Sequence, residues 1–363
     1  MACNSCLARN WLLGRLAGNI ERQTMNAPGR RARELLALDD RELVEAVAPG
    51  RAEKLVDESR AAVDELRGAV ASSGAWATCM HDSDYPSPLF DLRNAAPRAV
   101  LGRGERGRLA SLGEAPAVAI VGARKATAYG REVARALGHD LALAGLPVIS
   151  GLAYGVDAAS HRGALDGGGL TAAVLGGGPD VPYPAAHRRL QDEIAEAGLL
   201  LSELPPAQGP FRWCFPARNR IIAAMAEMTV VVEAARHSGA LITAEMASEL
   251  PGAVGAVPGP VLSGLSAGTN NLLADGAVIV RGAQDVLDEL LGVGVVSLDS
   301  ARPPLEPPLQ AALEAIEAGA GTPDEVAGAA GLDAVAAATA LARLELLGYV
   351  GTGTSGRYSR SAR

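Results

Sequence analysis

The stretch AVAIVGARKATAYGREVARALGHDLALAGLPVIS, residues 117–150, decides the fold. It opens with a short continuous apolar run ending at Gly122, continues through a segment of helical periodicity over 128–144, and closes on a second apolar run ending at Ser150. Apolar runs of this length, bounded by glycine and too short for a helix, read as strands buried on both faces, and a strand–helix–strand order calls for a parallel crossover. Five further runs repeat the pattern: LTAAVLG, LLLSE, TVVVEA, GAVGAVPG and AVIV. Helical segments are expected between them at 156–166, 185–197, 217–227 and 240–250. The fold class is therefore α/β, with a doubly wound, mostly parallel sheet.

On either side the text changes. Residues 1–72 carry Leu and Val at helical spacing among charges and read as a small helical domain. Residues 73–116, rich in proline and short apolar runs, read as a connecting arm or edge strand, giving a central domain of 73–293. A Pro-rich linker follows at 294–304, and 305–363 read as three helices and a β-hairpin, the layout of a winged helix. In that block Thr322 and Asp333 are expected helix caps, with Pro323 in a first turn. Helix 334–347 offers only Arg343 as a basic group, which favours packing or protein contact over reading a DNA groove.

A net charge of −8 over 363 residues argues against coating nucleic acid with the whole surface, so any polyanion site must be local. No run of apolar residues is long enough to span a bilayer, and the N-terminus carries no secretory pattern, so no membrane is expected and a cytoplasmic location is. Four cysteines do not make a disulfide framework in a chain of this size. Cys3 and Cys6 are spaced as in a metal hook, but no second pair is evident at zinc-finger distance; no metal is expected, and Cys79 and Cys214 read as inert buried thiols.

Ligands of an open parallel sheet bind beyond the carboxyl ends of its strands. Five successive strand ends here carry glycine, hydroxyl or cationic residues. They are Gly122, Arg124 and Lys125; Ser150, Gly151 and Gly155; Arg188 in GGGPDVPYPAAHRRL; Arg218, Asn219 and Arg220 in FPARNR; and Ser238, Gly239 and Thr243. Together they outline an extended phosphate-binding edge. FPARNR poses its own puzzle, because cations at a helix N-terminus are disfavoured by about 0.3–1 kcal/mol each unless an anion is near. Either both arginines face such an anion, or one pairs with an acidic neighbour such as Glu203 or Glu233 and holds the loop in shape. Catalytic signatures are sparse. Asp157 and His161 stand four apart on one helix face, but the patterns GxxxxGK[ST], GxGxxG and GxSxG are absent.

The blocks VAIVGARKATAYGREVARALGHDLALAG, VISGLAYGVDAASHRGAL, TAAVLGGGPDVPYPAAHRRLQDEI, FPARNRIIAAMAEMTVVVEAARHSGALITAEMA and AVPGPVLSGLSAGTNNLLADGA resemble, in order, the bacterial DNA-processing protein A (DprA, or Smf) family. The resemblance covers about 117–290, is similar in the preceding arm and the C-terminal block, and is weak in the N-terminal helices, which read as a SAM/HhH-like domain. It implies an extended Rossmann-like domain that binds single-stranded DNA, forms a homodimer, protects incoming strands and loads the RecA recombinase onto them. Strands coated with single-strand-binding protein are included, as in natural transformation and recombination. It implies neither cofactor nor catalytic turnover. By the same resemblance Arg124 and Arg188 take the strand's backbone, FPxRNR falls on Phe215, Pro216, Arg218, Asn219 and Arg220, and the hydroxyl loop on Ser238, Gly239 and Thr243. Two departures are Tyr154, where arginine is common, and His187, where asparagine is usual; Tyr154 offers a stacking face instead. The alternative from another class is a Rossmann-like nucleotide or phosphoribosyl-processing hydrolase with Glu233 or the Asp157/His161 pair as base.

Overall fold

The computed structural model describes residues 2–296, 305–346, 349–352 and 356–360. Residues up to 296 form one compact unit and those beyond a second. The expected Pro-rich linker lies, from residue 297 to 304, outside the described residues, as does the turn at 353–355.

The first unit begins with five helices, α1 (Asn4–Thr24), α2 (Pro28–Leu36), α3 (Asp40–Val47), α4 (Ala52–Ala61) and α5 (Val63–Ser72). Leu12, Leu13, Leu16, Ala17 and Ile20 form the buried stripe of α1 at helical spacing. They do not close a core of their own. Their cluster takes in Leu204, Trp213, Cys214 and Ala217 from the sheet region, and the Trp213 indole N–H donates to the Ala17 carbonyl at 3.0 Å. Asn10 completes the junction, its amide donating to the carbonyls of Ala99 (3.2 Å) and Glu203 (2.7 Å). The helices at 1–72, expected as a domain, are thus part of the same compact unit as the sheet.

Nine strands follow: β1 (Trp76–Cys79), β2 (Ala99–Arg103), β3 (Val118–Val121), β4 (Val148–Ser150), β5 (Thr171–Val174), β6 (Leu199–Ser202), β7 (Met228–Val231), β8 (Ala253–Ala256) and β9 (Val278–Ile279). Their spatial order is β1-β2-β6-β5-β4-β3-β7-β8-β9. Strands β3 to β9 pair in parallel, and each of the seven runs read as a strand forms one. The arm at 73–116 supplies β1 and β2, which extend the sheet antiparallel beyond β6. Between the strands lie α6 (Arg108–Ser111), α7 (Ala128–Leu143), α8 (Val156–Asp166), α9 (Arg188–Ala197), α10 (Cys214–Ala224), α11 (Gly239–Ser248) and α12 (Ala267–Ala274), and α13 (Ala283–Leu291) follows β9. The fold is the mostly parallel α/β sheet expected, compatible with a Rossmann-like class. Two helices differ in their bounds: α10 runs Cys214–Ala224, three residues earlier than the expected 217–227, and α9 opens at Arg188 after a short 3-10 turn, Ala185–His187, where 185 was expected.

The second unit holds helices Pro307–Glu317, Pro323–Ala330 and Ala334–Leu346 and an antiparallel pair, Val350–Thr352 with Tyr358–Arg360. A capping box joins Thr322 to Glu325, and the Asp333 carboxylate accepts from the Ala336 N–H at 2.8 Å. Leu309, Leu313, Ile316, Val326, Leu341 and Leu344 form its own core. Among the described residues no single helix is long and apolar enough to cross a membrane.

Candidate nucleic-acid interface

The strand order reverses at β3, with β4, β5 and β6 on one side and β7, β8 and β9 on the other. The loops leaving the carboxyl ends of β3 and β7 diverge there and leave a crevice. A cleft of about 890 Å³ occupies it, lined by Gly122 to Lys125 after β3, Arg236 to Ala240 after β7, and Arg212, Phe215, Arg218 and Asn219 at the start of α10. A side pocket of about 110 Å³ continues past Arg124 to Gly151, Tyr154 and Tyr183.

Two glycines let the loops close on one another. A Cβ on Gly122 would lie 2.6 Å from a Val156 methyl, and one on Gly155, whose φ is +80°, would lie 2.2 Å from the Ala123 carbonyl oxygen. These glycines set the approach of α8 to the β3 loop and so hold Arg124 at the rim. Its guanidinium stands over the Phe215 ring at 4.9 Å, and Phe215 in turn meets the Tyr183 ring at 5.1 Å.

Five cations line the cleft, Arg124, Lys125, Arg212, Arg218 and Arg236, against one carboxylate, Asp157. All but Arg218 are exposed, and among the described residues none of those four exposed cations is ion-paired. On a chain of net charge −8 this is the local concentration of positive charge the sequence called for.

The remaining site residues divide by burial. Arg218 is 7% exposed. Its guanidinium donates to the carbonyls of Gly151 (2.6 Å) and Val174 and to Asn219 Oδ1 (2.9 Å), with Asp157 at 4.0 Å. Burial lowers its pKa to about 10, opposed by the Asp157 charge and assisted by Arg124; burial likewise raises Asp157 against the pull of Arg218. Arg218 braces the cleft floor and adds charge to it. Gly151 lines only the side pocket, where a Cβ would meet the Arg218 guanidinium at 2.0 Å.

Arg220 and Ser150, both expected at the anion edge, are not there. Arg220 is 1% exposed, bound to both Glu203 oxygens at 2.8 and 2.7 Å and to the carbonyls of Ala95 and Ala217. Because α10 begins at Cys214, neither arginine stands in its first turn, and the electrostatic puzzle of FPARNR dissolves. Ser150 is fully buried and donates to the Ile120 carbonyl at 2.6 Å, tying β4 to β3. Ser238 caps α11 by accepting from the Ala240 N–H; with Gly239 and Thr243 it lines the cleft. Gly155 and Arg188 do not line it: Gly155 caps α8, and Arg188 is exposed at the start of α9. The neighbouring His187 meets Tyr154 edge-on at 4.8 Å.

Tyr183, Arg212, Arg236 and His237 line the cleft without having been singled out. Each sits within three residues of a motif that was, so the signal lay in the flanks of the loops.

The proposed acid/base pair is not formed. His161 Nδ1 bonds to Thr171 Oγ1 at 2.7 Å, while Asp157 accepts from the Ala153 N–H. Glu233 accepts from the Thr127 amide and hydroxyl at 2.8 and 2.9 Å and so fixes the start of α7.

Comparison with known proteins agrees with this architecture. The family described as DNA recombination-mediator protein A matches residues 76–291. A DprA-type protein of Mycobacterium tuberculosis is 46% identical over 238 residues, 64% of this chain and 61% of the relative, so the match spans about three fifths of that protein's length. The DNA processing protein DprA of Streptococcus pneumoniae is 42% identical over 212 residues, 57% of this chain and 72% of the relative. A solved DprA structure from Streptococcus pneumoniae superposes with a TM-score of 0.62 at 33% identity, covering 80% of this chain and 99% of that one. A structure of DNA processing protein A from Helicobacter pylori, described for its single-stranded DNA binding mode, gives 0.53 at 28% identity, covering 60% and 97%. With the family match extending across the sheet and its cleft, the chain belongs to the DNA recombination-mediator protein A family.

Proposed function

We propose that the cleft binds single-stranded DNA and that the protein acts as a recombination mediator, protecting incoming strands and loading RecA onto them in the cytoplasm. The observation that carries the binding is the unpaired set Arg124, Lys125, Arg212 and Arg236 around the rings of Phe215 and Tyr183. Phosphates follow the cations, Ser238 and the N-terminus of α11, while unstacked bases lie on the rings, worth about 1–3 kcal/mol each. A duplex keeps its bases stacked and cannot use those rings. RecA contact and assembly as a homodimer complete the reading; they rest on family membership, and the mechanism includes no turnover.

Fluorescence anisotropy with short single- and double-stranded oligonucleotides at two salt concentrations tests it. Four neutralised phosphates give a slope of log K against log salt of about −3, at about −0.7 per phosphate. Arg124→Ala should weaken single-strand binding about tenfold, or about 1.4 kcal/mol, and flatten the slope by about 0.7. Salt-independent binding, or equal affinity for duplex, would overturn the proposal. RecA loading is read separately, as stimulation of strand exchange on strands coated with single-strand-binding protein.

A further inference from the structure

The four cysteines separate into one and three. Cys214 lies alone beneath the Phe211 N–H, whereas Cys3, Cys6 and Cys79 converge on His81, the metal-binding sulfur and nitrogen atoms all within 4.8 Å of one another. Cys3 and Cys6 stand at the start of α1; Cys79 ends β1, and His81 is two residues beyond it. The chain folds back over 75 positions to bring Cys6 to His81.

The sulfurs of Cys3, Cys6 and Cys79 lie 3.5, 3.5 and 3.9 Å from His81 Nδ1. A tetrahedral zinc with Zn–S about 2.3 Å and Zn–N about 2.0–2.1 Å requires sulfur–nitrogen separations of about 3.6 Å. Simple packing explains this less well. One ring nitrogen has a single proton or a single lone pair and can satisfy one thiol, yet three sulfurs crowd the same Nδ1. A cation at their centre would serve all four groups. Cys6 and Cys79 are 2% and 0% exposed, while Cys3 is half-buried and His81 is exposed, which leaves a path for the metal. The Cys3 backbone N–H donates to Cys79 Sγ at 3.4 Å, an outer hydrogen bond of the kind that orients a coordinating thiolate.

We propose that Cys3, Cys6, Cys79 and His81 bind one zinc ion in a closed tetrahedral site that fastens the N-terminus of α1 to β1, the edge strand of the sheet. Three thiolates and an imidazole select zinc over magnesium, calcium or manganese, and four protein ligands leave no open position, so the role is structural. This replaces the sequence expectation of no metal. Cys-x2-Cys was visible, but its partner Cys79-Met80-His81 is neither a second CxxC nor near it in the chain. None of the four residues lines the cleft, so the inference stands or falls independently of DNA binding.

The test uses the full chain, purified without a polyhistidine tag and without chelator. Elemental analysis should find about one zinc per chain, and zinc should fall at least tenfold in both Cys6→Ser and His81→Ala. Strong chelator should lower the wild-type melting temperature by several degrees and leave those variants unmoved. Should a variant fail to fold, cobalt(II) exchanged into the wild-type protein decides alone. Visible bands of tetrahedral cobalt with near-ultraviolet thiolate charge transfer support the site. Folded wild-type protein with negligible zinc, no cobalt–thiolate absorption, and thiols that titrate freely or pair as a disulfide overturns it.

Discussion

Arg124 and Arg220 share a side chain and differ in every consequence. Arg124 is exposed, unpaired and stacked on Phe215; Arg220 is enclosed, with Glu203 and two carbonyls taking its donors. Removing one partner of a buried pair leaves the other charge without compensation, a cost of about 3–5 kcal/mol. Arg220→Ala should therefore lower the unfolding free energy by that much, read from the shift of the urea midpoint at unchanged slope, whereas Arg124→Ala should change stability by less than about 0.5 kcal/mol, as surface substitutions do. An Arg220→Ala protein as stable as wild type would show that the clasp is dispensable. The sequence could pose this choice, since Glu203 was a candidate partner, but could not make it, because burial is a property of the assembled sheet. Ser150 escaped for the same reason: a hydroxyl at a strand end reads as a ligand until the neighbouring strand's carbonyl is seen to accept from it.

At the level of elements, the strands were legible because most are short apolar runs with a glycine at one or both ends, a pattern that suits a strand buried on both faces. Helix α10 was misread at its start because Trp213, Cys214 and Phe215 precede a proline, and proline within the first turn costs no hydrogen bond. The junction of α7 and α8 was not legible at all. A Cβ on Gly138 would lie 2.2 Å from the Ser160 carbonyl oxygen, and one on Gly163 would lie 2.0 Å from that of Arg135. His161, on α8 itself, faces Thr171 of β5 at 0% exposure. Thr171 donates its hydroxyl to the Val148 carbonyl, so it accepts from His161 Nδ1–H, and Nε2 is left bare and without a partner. Burial, and then the charge of Arg218, lower the imidazole pKa from 6.5 to about 3. Below pH 6.5 the unfolded chain takes up a proton that the native imidazole refuses. Stability is therefore present above that pH and is lost as pH falls toward about 3. The loss is at most about 1.4 kcal/mol per pH unit. Urea titrations at several pH values should show the wild type losing about 2 kcal/mol more than His161→Asn between about pH 6.5 and 4.5. Asp157, raised by burial, drifts the other way but is present in both proteins. Parallel pH dependences would refute the assignment of this acid sensitivity to His161.

For the whole molecule, the division of labour between the two units is itself testable. Every residue lining the cleft lies between 121 and 267, within the first unit. The second unit encloses a core of its own, and its one basic group on helix Ala334–Leu346, Arg343, is held in a two-point ion pair with Glu306 at 2.7 and 2.8 Å. A helix of alanine and leucine with its single arginine so engaged lacks the several phosphate and base contacts that groove binding requires. A chain ending at residue 296 should therefore unfold cooperatively and bind a short single-stranded oligonucleotide within about twofold of the full chain, with the same salt slope. Loss of affinity by about tenfold or more would place DNA contacts on the second unit. If affinity is retained while stimulation of RecA-driven strand exchange is lost, the second unit contributes through a protein partner, the role its surface chemistry fits better.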